Sequence, residues 1–255
     1  MTNMKPSFLN HDHPLLTVMI QTESPESAIR TVHRAIPGGA DAFGLQTCRL
    51  KHEYRNEKTY RRIFEEMEGR PSYVTNYRGG VNAGADDDTI AGGMLLAARA
   101  GGTLIDVMGD LYAKHPDELT DDKSAVDRQK RLIDTLHNHG AEVLMSSHVL
   151  RFTPAERVLE IANAQVERGA DIVKIVTGAE DDLQQAENLK IVAMLKKELK
   201  APFLYLSGGK CEVLRRVGPM LGCCMWLCVY EHDALSTKSQ PLLKKVKAIR
   251  DNFAD

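Results

Sequence analysis

Apolar positions along this chain follow two alternating patterns. Short runs of strand length are almost continuously apolar. Each is followed by a longer segment whose apolar residues recur about every three to four positions, as on one face of a helix. The predicted strands cover residues 15–22, 41–47, 72–77, 103–108, 142–148, 171–177, 203–207 and 225–229. The predicted helices begin near Pro25, Lys58, Asp88, Ser124, Thr153, Asp181, Cys211 and Pro241.

Residues typical of helix ends support this division. Ser24-Pro25-Glu26 and Thr153-Pro154-Ala155-Glu156 each place an N-cap hydroxyl before a proline at the first helical position, with an acidic residue shortly after. Gly39, Gly140 and Gly169 lie between a predicted helix and the next strand. Glycine at that point suits the left-handed conformation of a helix C-cap.

The number and order of these units predict the fold. Eight strand–helix units within 255 residues, without a linker rich in Pro, Gly or Ser, predict a single domain over residues 1–255. The predicted fold class is α/β, a (β/α)8 TIM barrel. The alternative is a doubly wound open sheet, which has less support because no Gly-x-Gly-x-x-Gly pattern follows the first predicted strand.

Lys174 is the charged residue in an otherwise apolar, largely β-branched run at 172–177. Such a run is typical of a strand that is covered on both faces. Burying an ammonium is costly unless it is paired or neutralised, and burial favours the neutral amine, which can attack a carbonyl and form a Schiff base. The alternative is a lysine at a strand end that reaches solvent or pairs with a carboxylate.

Other polar side chains collect toward the carboxyl ends of the predicted strands, where the chemistry of such barrels occurs. His148 ends the fifth strand, Asp106 lies in the fourth, Arg78 follows the third, and Gln46 lies near the end of the second. Because side chains alternate along a strand, His148 and Lys174 are predicted to converge at one mouth. A histidine there can transfer the protons that imine formation requires. Each residue also has an alternative role. His148 could be structural, Asp106 could pair with Lys174, and Arg78 could be an ordinary surface arginine.

Overall charge and composition argue against several classes of function. The chain is 43% hydrophobic and 27% charged with a net charge of −2, so no global basic field attracts nucleic acid or an anionic membrane. No apolar run approaches the roughly 20 residues that span a bilayer. The polar segment 1–14 lacks the apolar core of a signal peptide, so the expected location is the cytoplasm.

The five cysteines indicate reduced thiols, because their number is odd and we expect no secretion signal from the polar segment 1–14. Cys223, Cys224 and Cys228 lie close together, but their spacing fits no common zinc pattern and the run 225–229 is typical of a buried strand. Metal binding is the alternative with less support. We therefore expect neither a metal nor another cofactor.

Five segments occur in an order that resembles a known family. They are Leu104-Ile105-Asp106-Val107, Val143-Leu144-Met145-Ser146-Ser147-His148, Gly169-Ala170-Asp171-Ile172-Val173-Lys174-Ile175, Leu206-Ser207-Gly208-Gly209 followed by Arg216, and Ser236-x-x-x-Gln240. Together they resemble the type I 3-dehydroquinate dehydratases, Schiff-base (β/α)8 enzymes of the shikimate and quinate pathways, the former leading to aromatic amino acid biosynthesis. The resemblance is clearest from about Leu104 onward.

The resemblance implies specific roles. Lys174 would form the Schiff base, and His148 would be the general acid/base. Arg216 would bind the substrate carboxylate, while Ser236 and Gln240 would close over the substrate.

The resemblance also implies a lid and an assembly. The polar segment 232–239, between the last strand and the last helix, is predicted to be mobile when the site is empty and ordered with substrate. A homodimer and a small-molecule keto-acid substrate are implied as well.

The N-terminal part departs from the family pattern. The family's second strand carries a Glu-x-Arg motif, where this chain has Gly44 and Gln46. The third strand keeps an arginine, Arg78, but Asn82 replaces the glutamate that partners the catalytic histidine. Because an amide cannot supply that negative charge, the acidic run 86–88 is the candidate replacement. We expect Gln46, Arg78 and Asn82 to contact the substrate, whose identity these departures leave open.

Three functional hypotheses follow. The first is a carbon–oxygen lyase, similar to 3-dehydroquinate dehydratase, that dehydrates a cyclic hydroxy-keto acid through a lysine imine. The second is a class I, imine-forming aldolase for another keto substrate, which the loss of Glu-x-Arg favours. The third is a non-catalytic barrel that acts as a binding or regulatory protein, although a buried lysine without a use would be costly.

Overall fold

Eight parallel strands alternate with eight α-helices in the part of the chain that the structure describes, residues 6–9 and 11–253. This computed structural model confirms the predicted (β/α)8 barrel, while residues 1–5 and 10 of the segment 1–14 lie outside the described residues. The strands are β1 (Leu15–Ile20), β2 (Ala42–Gln46), β3 (Ser72–Thr75), β4 (Leu104–Met108), β5 (Glu142–His148), β6 (Ile172–Thr177), β7 (Phe203–Ser207) and β8 (Met225–Cys228). The helices are α1 (Pro25–Ala35), α2 (Glu57–Glu65), α3 (Asp87–Arg99), α4 (Lys123–Asn138), α5 (Ala155–Glu167), α6 (Asp182–Glu198), α7 (Leu214–Leu221) and α8 (Leu243–Phe253).

The strand order brings the predicted polar residues to one end of the barrel. The strands pair in the order β7–β6–β5–β4–β3–β2–β1–β8, all parallel. At the seam between β7 and β8, the Cys224 N–H donates to the Phe203 carbonyl at 2.9 Å. In the neighbouring strands β5 and β6, Ser146 lies opposite Lys174 and the last residue of β5 lies opposite Val176. The carboxyl ends of all these strands therefore surround a single mouth.

The helix ends follow the sequence signals, with one exception. α1 begins as predicted, and the Ser24 hydroxyl accepts a backbone N–H of its first turn at 3.4 Å. α5 begins at Ala155, so Thr153 is not its N-cap. The Thr153 hydroxyl instead donates to the Arg151 carbonyl at 3.2 Å, which holds the β5–α5 loop. The predicted C-cap glycines all have positive φ angles, for example +101° at Gly169.

The helices form an outer layer that packs apolar side chains against the strands. On α4, Leu132, Ile133 and Leu136 are all buried in this way. None of the described helices is both long enough and apolar enough to cross a membrane.

Polar side chains occupy the interior of the barrel above an apolar base. Asp106 is 0% exposed and Lys174 is 3% exposed, although both lie in the middle of apolar strands. At the opposite end, Phe8 packs edge-on against Tyr73 with ring centroids 6.5 Å apart, and its N–H donates to Glu142 at 2.8 Å. Phe8 thus lies at the base of the barrel, opposite the polar end.

We predict opposite stability effects for two glycine-to-alanine substitutions. At Gly169, φ is +101° and a Cβ would lie 3.3 Å from Ile133, so Gly169→Ala should lower the free energy of unfolding. The expected loss is about 1–2 kcal/mol, the usual cost of a left-handed conformation for a residue with a Cβ. Gly92 lies on the exposed side of α3 with no neighbouring atom within 4 Å of an added Cβ. Gly92→Ala should therefore raise the free energy of unfolding by about 0.5–1 kcal/mol. Urea denaturation measures both values, and shifts in the same direction would contradict the prediction.

Candidate active site

A cavity of about 210 Å³ opens at the carboxyl ends of the strands. Lys174 of β6 and His148 of β5 both line it, so the predicted convergence of these two side chains is observed. Its apolar lining residues are Met19, Leu150, Val176, Leu206 and Leu227. Its other polar lining residues are Gln21, Gln46, Tyr73, Thr75, Tyr77, Arg215, Thr237 and Gln240.

Lys174 is both buried and paired. Its Nζ lies 2.7 Å from the Tyr77 hydroxyl, 3.0 Å from the Tyr73 hydroxyl and 3.2 Å from Asp106 Oδ2. The carboxylate partner considered from the sequence is therefore present, together with two phenols that were not expected. An amine held in this way at a cavity wall is suited to attack a carbonyl group.

Asp106 is the counterion at the centre of this cluster. Its Oδ2 accepts hydrogen bonds from Tyr77 at 2.6 Å and from Tyr73, and its Oδ1 accepts one from the Ser146 hydroxyl. Burial alone would raise the pKa of Asp106, but the charge of Lys174 and these hydrogen bonds hold it below its ordinary value. Burial and the charge of Asp106 raise the pKa of Tyr73 and Tyr77 well above their ordinary range, so both phenols keep their protons.

Glu118, in the loop between β4 and α4, supplies the carboxylate beside His148. Its oxygens lie 2.9 and 3.2 Å from His148 Nδ1, and one of them also accepts the His148 backbone N–H at 2.7 Å. Because a carboxylate can only accept, Nδ1 carries a proton and Nε2 is the nitrogen left for a bound molecule.

The backbone of Glu118 is strained to make this contact. Its φ angle is +46°, in the left-handed region that residues with a Cβ rarely adopt. The Ser147 hydroxyl donates to the Glu118 carbonyl at 2.8 Å and helps to fix it. Strain of this kind persists only where surrounding contacts impose it, and it concentrates at functional sites.

The three aspartates considered as replacements do not contact His148, so that prediction is wrong. Asp86 caps α3, Asp87 pairs with Arg78, and Asp88 pairs with Arg128. Each is engaged locally at the start of α3.

Arg78 was predicted to contact substrate, but it lies outside the cavity lining. It donates to Asp87 at 2.9 and 2.8 Å and to Asp110 at 2.6 Å. Burial alone would lower the pKa of Arg78, but the two carboxylates raise it above its ordinary value. Tyr73 and Thr75 on β3 and Tyr77 just beyond it line the cavity, whereas Arg78, the next residue, does not.

Asn82 also lies outside the cavity lining, which corrects its predicted role. It is 1% exposed and donates to Asn76 Oδ1 at 2.8 Å and to the Tyr77 carbonyl at 2.7 Å. Its side-chain oxygen accepts from Arg55 at 2.7 Å. Because both the nitrogen and the oxygen of its side-chain amide form hydrogen bonds within the protein, Asn82 stabilises the loop after β3.

Arg215, rather than the predicted Arg216, lines the cavity. Consecutive residues on a helix point about 100° apart, and α7 directs Arg216 to solvent, with its side chain 45% exposed near Glu212. The Arg215 Nε is buried without a hydrogen-bond partner among the described residues, and burial lowers the pKa of Arg215. A half-buried guanidinium with an unused donor is suited to bind a carboxylate.

The predicted lid, residues 232–239, is joined to β1 through Gln21. The Thr237 N–H donates to the Gln21 side chain at 2.8 Å, and the Gln21 amide donates to the Thr237 hydroxyl at 2.9 Å. Gln240 lines the cavity, and its Oε1 is buried without a partner in the described part of the chain. Ser236 does not line the cavity, because its hydroxyl accepts a backbone N–H within the segment at 2.9 Å. Motion of the segment stays a prediction.

The wall formed by β1, β2 and β8 is neutral. Gln46 lines it, and its Oε1 accepts from the Gln21 amide at 2.8 Å, while its contact with a substrate stays a prediction. At Gly44, Met19 fills the space of a side chain, because a Cβ there would lie 2.2 Å from the Met19 sulfur. Met19 and Leu227 therefore make the remainder of this wall apolar.

The cysteine cluster is part of the packing. All five cysteines are free thiols, and Cys223 and Cys228 are buried. Within residues 6–9 and 11–253, no group of three or more His, Cys, Asp or Glu side chains is arranged to hold a metal ion.

Comparison of sequences relates the chain to one family. A family model described as type I 3-dehydroquinase matches residues 17–251. The chain is also 34% identical over 101 residues to a 3-dehydroquinate dehydratase of Alkaliphilus oremlandii. That match spans 39% of this chain and only 38% of its relative.

Comparison of structures gives the same fold over most of the chain. A 3-dehydroquinate dehydratase from Geobacillus kaustophilus has a TM-score of 0.78 at 14% identity, covering 96% of this chain and 93% of that one. A type I 3-dehydroquinate dehydratase from Clostridium difficile, solved with covalently modified comenic acid, has a TM-score of 0.78 at 15% identity, covering 95% of this chain and 93% of that one. At such low identity these two structures establish the fold alone. Because the family model matches most of the sequence, the chain belongs to the type I 3-dehydroquinase family.

Proposed function

We propose that this chain is a Schiff-base-forming carbon–oxygen lyase that dehydrates 3-dehydroquinate or a closely related cyclic hydroxy-keto acid. The observation that carries the proposal is Lys174, a buried lysine paired with Asp106 at the wall of a cavity that also holds His148 and Arg215. Membership of the type I 3-dehydroquinase family supports the same chemistry. The family also leads us to infer a homodimer, which sedimentation velocity would test.

In the proposed reaction, Lys174 and the substrate ketone form an imine with release of one water. The imine withdraws electrons, so His148 Nε2 can remove a proton from the adjacent carbon. The electron pair left on that carbon expels the hydroxyl of the next carbon, which leaves as water with the proton that His148 returns. Hydrolysis of the imine then releases the unsaturated product and restores Lys174.

Arg215 and Gln240 are the groups that we assign to substrate binding at the outer part of the cavity. The unused Arg215 Nε donor is suited to the substrate carboxylate. The unused Gln240 Oε1 can accept a hydrogen bond from a substrate hydroxyl.

The neutral wall provides a specific reason to retain the aldolase as a second candidate. Gln21 and Gln46 present amides there, and Met19 and Leu227 present no polar hydrogen. A neutral hydrogen bond contributes about 0.5–1.5 kcal/mol, against about 1.5–3 kcal/mol when one partner is charged. Ring hydroxyls of a substrate would therefore be held less tightly on this side than by ionic partners.

We predict that borohydride traps a covalent adduct between 3-dehydroquinate and Lys174. Lys174→Ala should lose the adduct, whereas Lys210→Ala, which removes a lysine with a 60% exposed side chain, should keep it. Intact mass and peptide mapping measure both. An adduct of Lys174 with other keto acids but not with 3-dehydroquinate would reject the dehydratase and leave the aldolase.

We predict that Arg215 and Arg216 differ sharply in their effect on substrate binding. Arg215→Gln should raise KM by about 10- to 150-fold, because hydrogen bonds to a charged group are worth about 1.5–3 kcal/mol. Arg216→Gln should leave KM within about two-fold, since its side chain is 45% exposed and lies outside the cavity. Steady-state kinetics of both variants measures this, and a larger effect at Arg216 would restore the original assignment.

We predict that Glu118→Gln lowers kcat by about 100-fold, at the lower end of what general acid–base catalysis contributes. The substitution removes the charge that orients the imidazole of His148. Asp117→Asn is the matched control, because that neighbouring carboxylate pairs with Arg151 and Arg157 instead. It should alter thermal stability but not kcat. Equal losses of kcat in the two variants would indicate general damage to the loop.

A further inference from the structure

Tyr77 lies where the lysine, its carboxylate and the histidine come together. Its hydroxyl is 2.7 Å from Lys174 Nζ and 2.6 Å from Asp106 Oδ2. Its ring packs edge-on against His148, with ring centroids 5.2 Å apart. Tyr73 touches the same two charged groups but is fully buried, whereas Tyr77 is partly exposed. Tyr77 is therefore the phenol nearer to an incoming ligand.

The hydrogen bonds of this hydroxyl have a fixed direction. An ammonium can only donate and a carboxylate can only accept, so the Tyr77 hydroxyl accepts from Lys174 and donates to Asp106. It connects a proton source to a proton acceptor. Burial and the charge of Asp106 raise the pKa of Tyr77, so this hydroxyl gives up a proton only while it takes another.

We propose that Tyr77 is a catalytic residue of the imine-forming step, in which its hydroxyl relays protons between Lys174, Asp106 and the ketone oxygen of the substrate. This inference rests on the proposed function, because it requires a ketone at Lys174. It assigns the proton transfers at oxygen and nitrogen to Tyr77 and those at carbon to His148.

The relay accounts for every proton. The Lys174 ammonium gives one proton to Asp106 through the Tyr77 hydroxyl. The lone pair of the resulting amine attacks the ketone carbon, and the electron pair of the C=O bond moves onto oxygen. A second proton moves from nitrogen to this oxygen and gives a neutral carbinolamine. Asp106 then returns its proton through Tyr77, the C–O bond breaks, and water leaves as the nitrogen lone pair forms the C=N bond. The products are a protonated imine, the Asp106 carboxylate and one water.

The electrostatics of the pair favour this transfer. Burial opposes the charge on Asp106, and the charge of Lys174 together with the hydrogen bonds to the carboxylate outweighs it, so the pKa of Asp106 lies below its ordinary value. Once Lys174 loses its proton, a major part of this opposition is gone and the balance shifts toward the neutral acid. The transfer therefore converts a buried ion pair into a buried neutral pair, and the protonated imine later restores the ion pair. No net charge has to leave the interior of the barrel.

The test is the rate of imine formation in Tyr77→Phe, which removes the hydroxyl and keeps the ring. With 3-dehydroquinate as the probe, rapid-quench borohydride trapping and intact mass give both the rate and the final fraction of adduct. We expect the rate to fall by about 100-fold, within the range of general acid–base catalysis. The final fraction should stay near the wild-type value, because a catalyst does not change an equilibrium.

Two further variants separate the relay from a structural role. Tyr60→Phe removes the hydroxyl of a buried tyrosine on α2 that does not line the cavity, and it should match wild type in rate and in extent. His148→Gln should lose dehydration, because it removes the base that takes the proton from carbon. An unchanged rate in Tyr77→Phe overturns the relay, as does a loss of extent at an unchanged rate, which indicates weakened binding. If the wild-type protein traps no keto acid, both the proposed function and the relay are wrong. If the wild-type protein traps 3-dehydroquinate and Tyr77→Phe traps it at the same rate, only the relay is wrong.

Discussion

The structure depends on a pair of opposite charges held inside the barrel, away from water. Lys174 and Asp106 lie 3.2 Å apart, with side chains 4% and 0% exposed. Desolvating such a pair costs several kcal/mol per ion, and removing one partner typically destabilises a protein by about 3–5 kcal/mol. Two phenols from the β3 region and the Ser146 hydroxyl of β5 satisfy the remaining hydrogen bonds. The groups that make the lysine chemically useful therefore also link strands β3 to β6 at the mouth of the barrel.

Two groups of the candidate site come from outside the strands. The strand scaffold positions the amine and the histidine, but the carboxylate beside His148 comes from Glu118 in an irregular loop, at a φ of +46°. The candidate carboxylate-binding group, Arg215, comes from the first turn of α7. This division is common in barrels, where a rigid strand framework presents groups that variable loops complete.

The fold could be predicted from sequence because its signals are periodic and local. The strand predicted at residues 171–177 is observed at Ile172–Thr177. Because the strand is in the predicted place, the alternation of side chains correctly predicts that Lys174 and His148 line the same mouth. Arg215 could not be told from Arg216, because a shift of one residue on a helix turns a side chain by about 100°. Glu118 carried no signal, since its contact depends on where an irregular loop folds back. Asn82 was misassigned because spacing does not reveal that other side chains already use its amide.

The buried charge cluster and the neutral wall of this site occupy different parts of the barrel. The buried cluster around Lys174 lies on β3 to β6, whereas the neutral wall lies on β1, β2 and β8 together with the segment 232–239. A change in the wall therefore need not disturb the ion pair. The wall itself is constrained by packing, because a Cβ at position 44 would lie 2.2 Å from the Met19 sulfur. A long side chain at position 19 therefore requires glycine at position 44. A charged residue at 44 would fit only if Met19 moved or were replaced by a shorter residue. Under the proposed function, we therefore expect substrate range to depend on coupled substitutions on β1 and β2, while the groups around Lys174 stay unchanged.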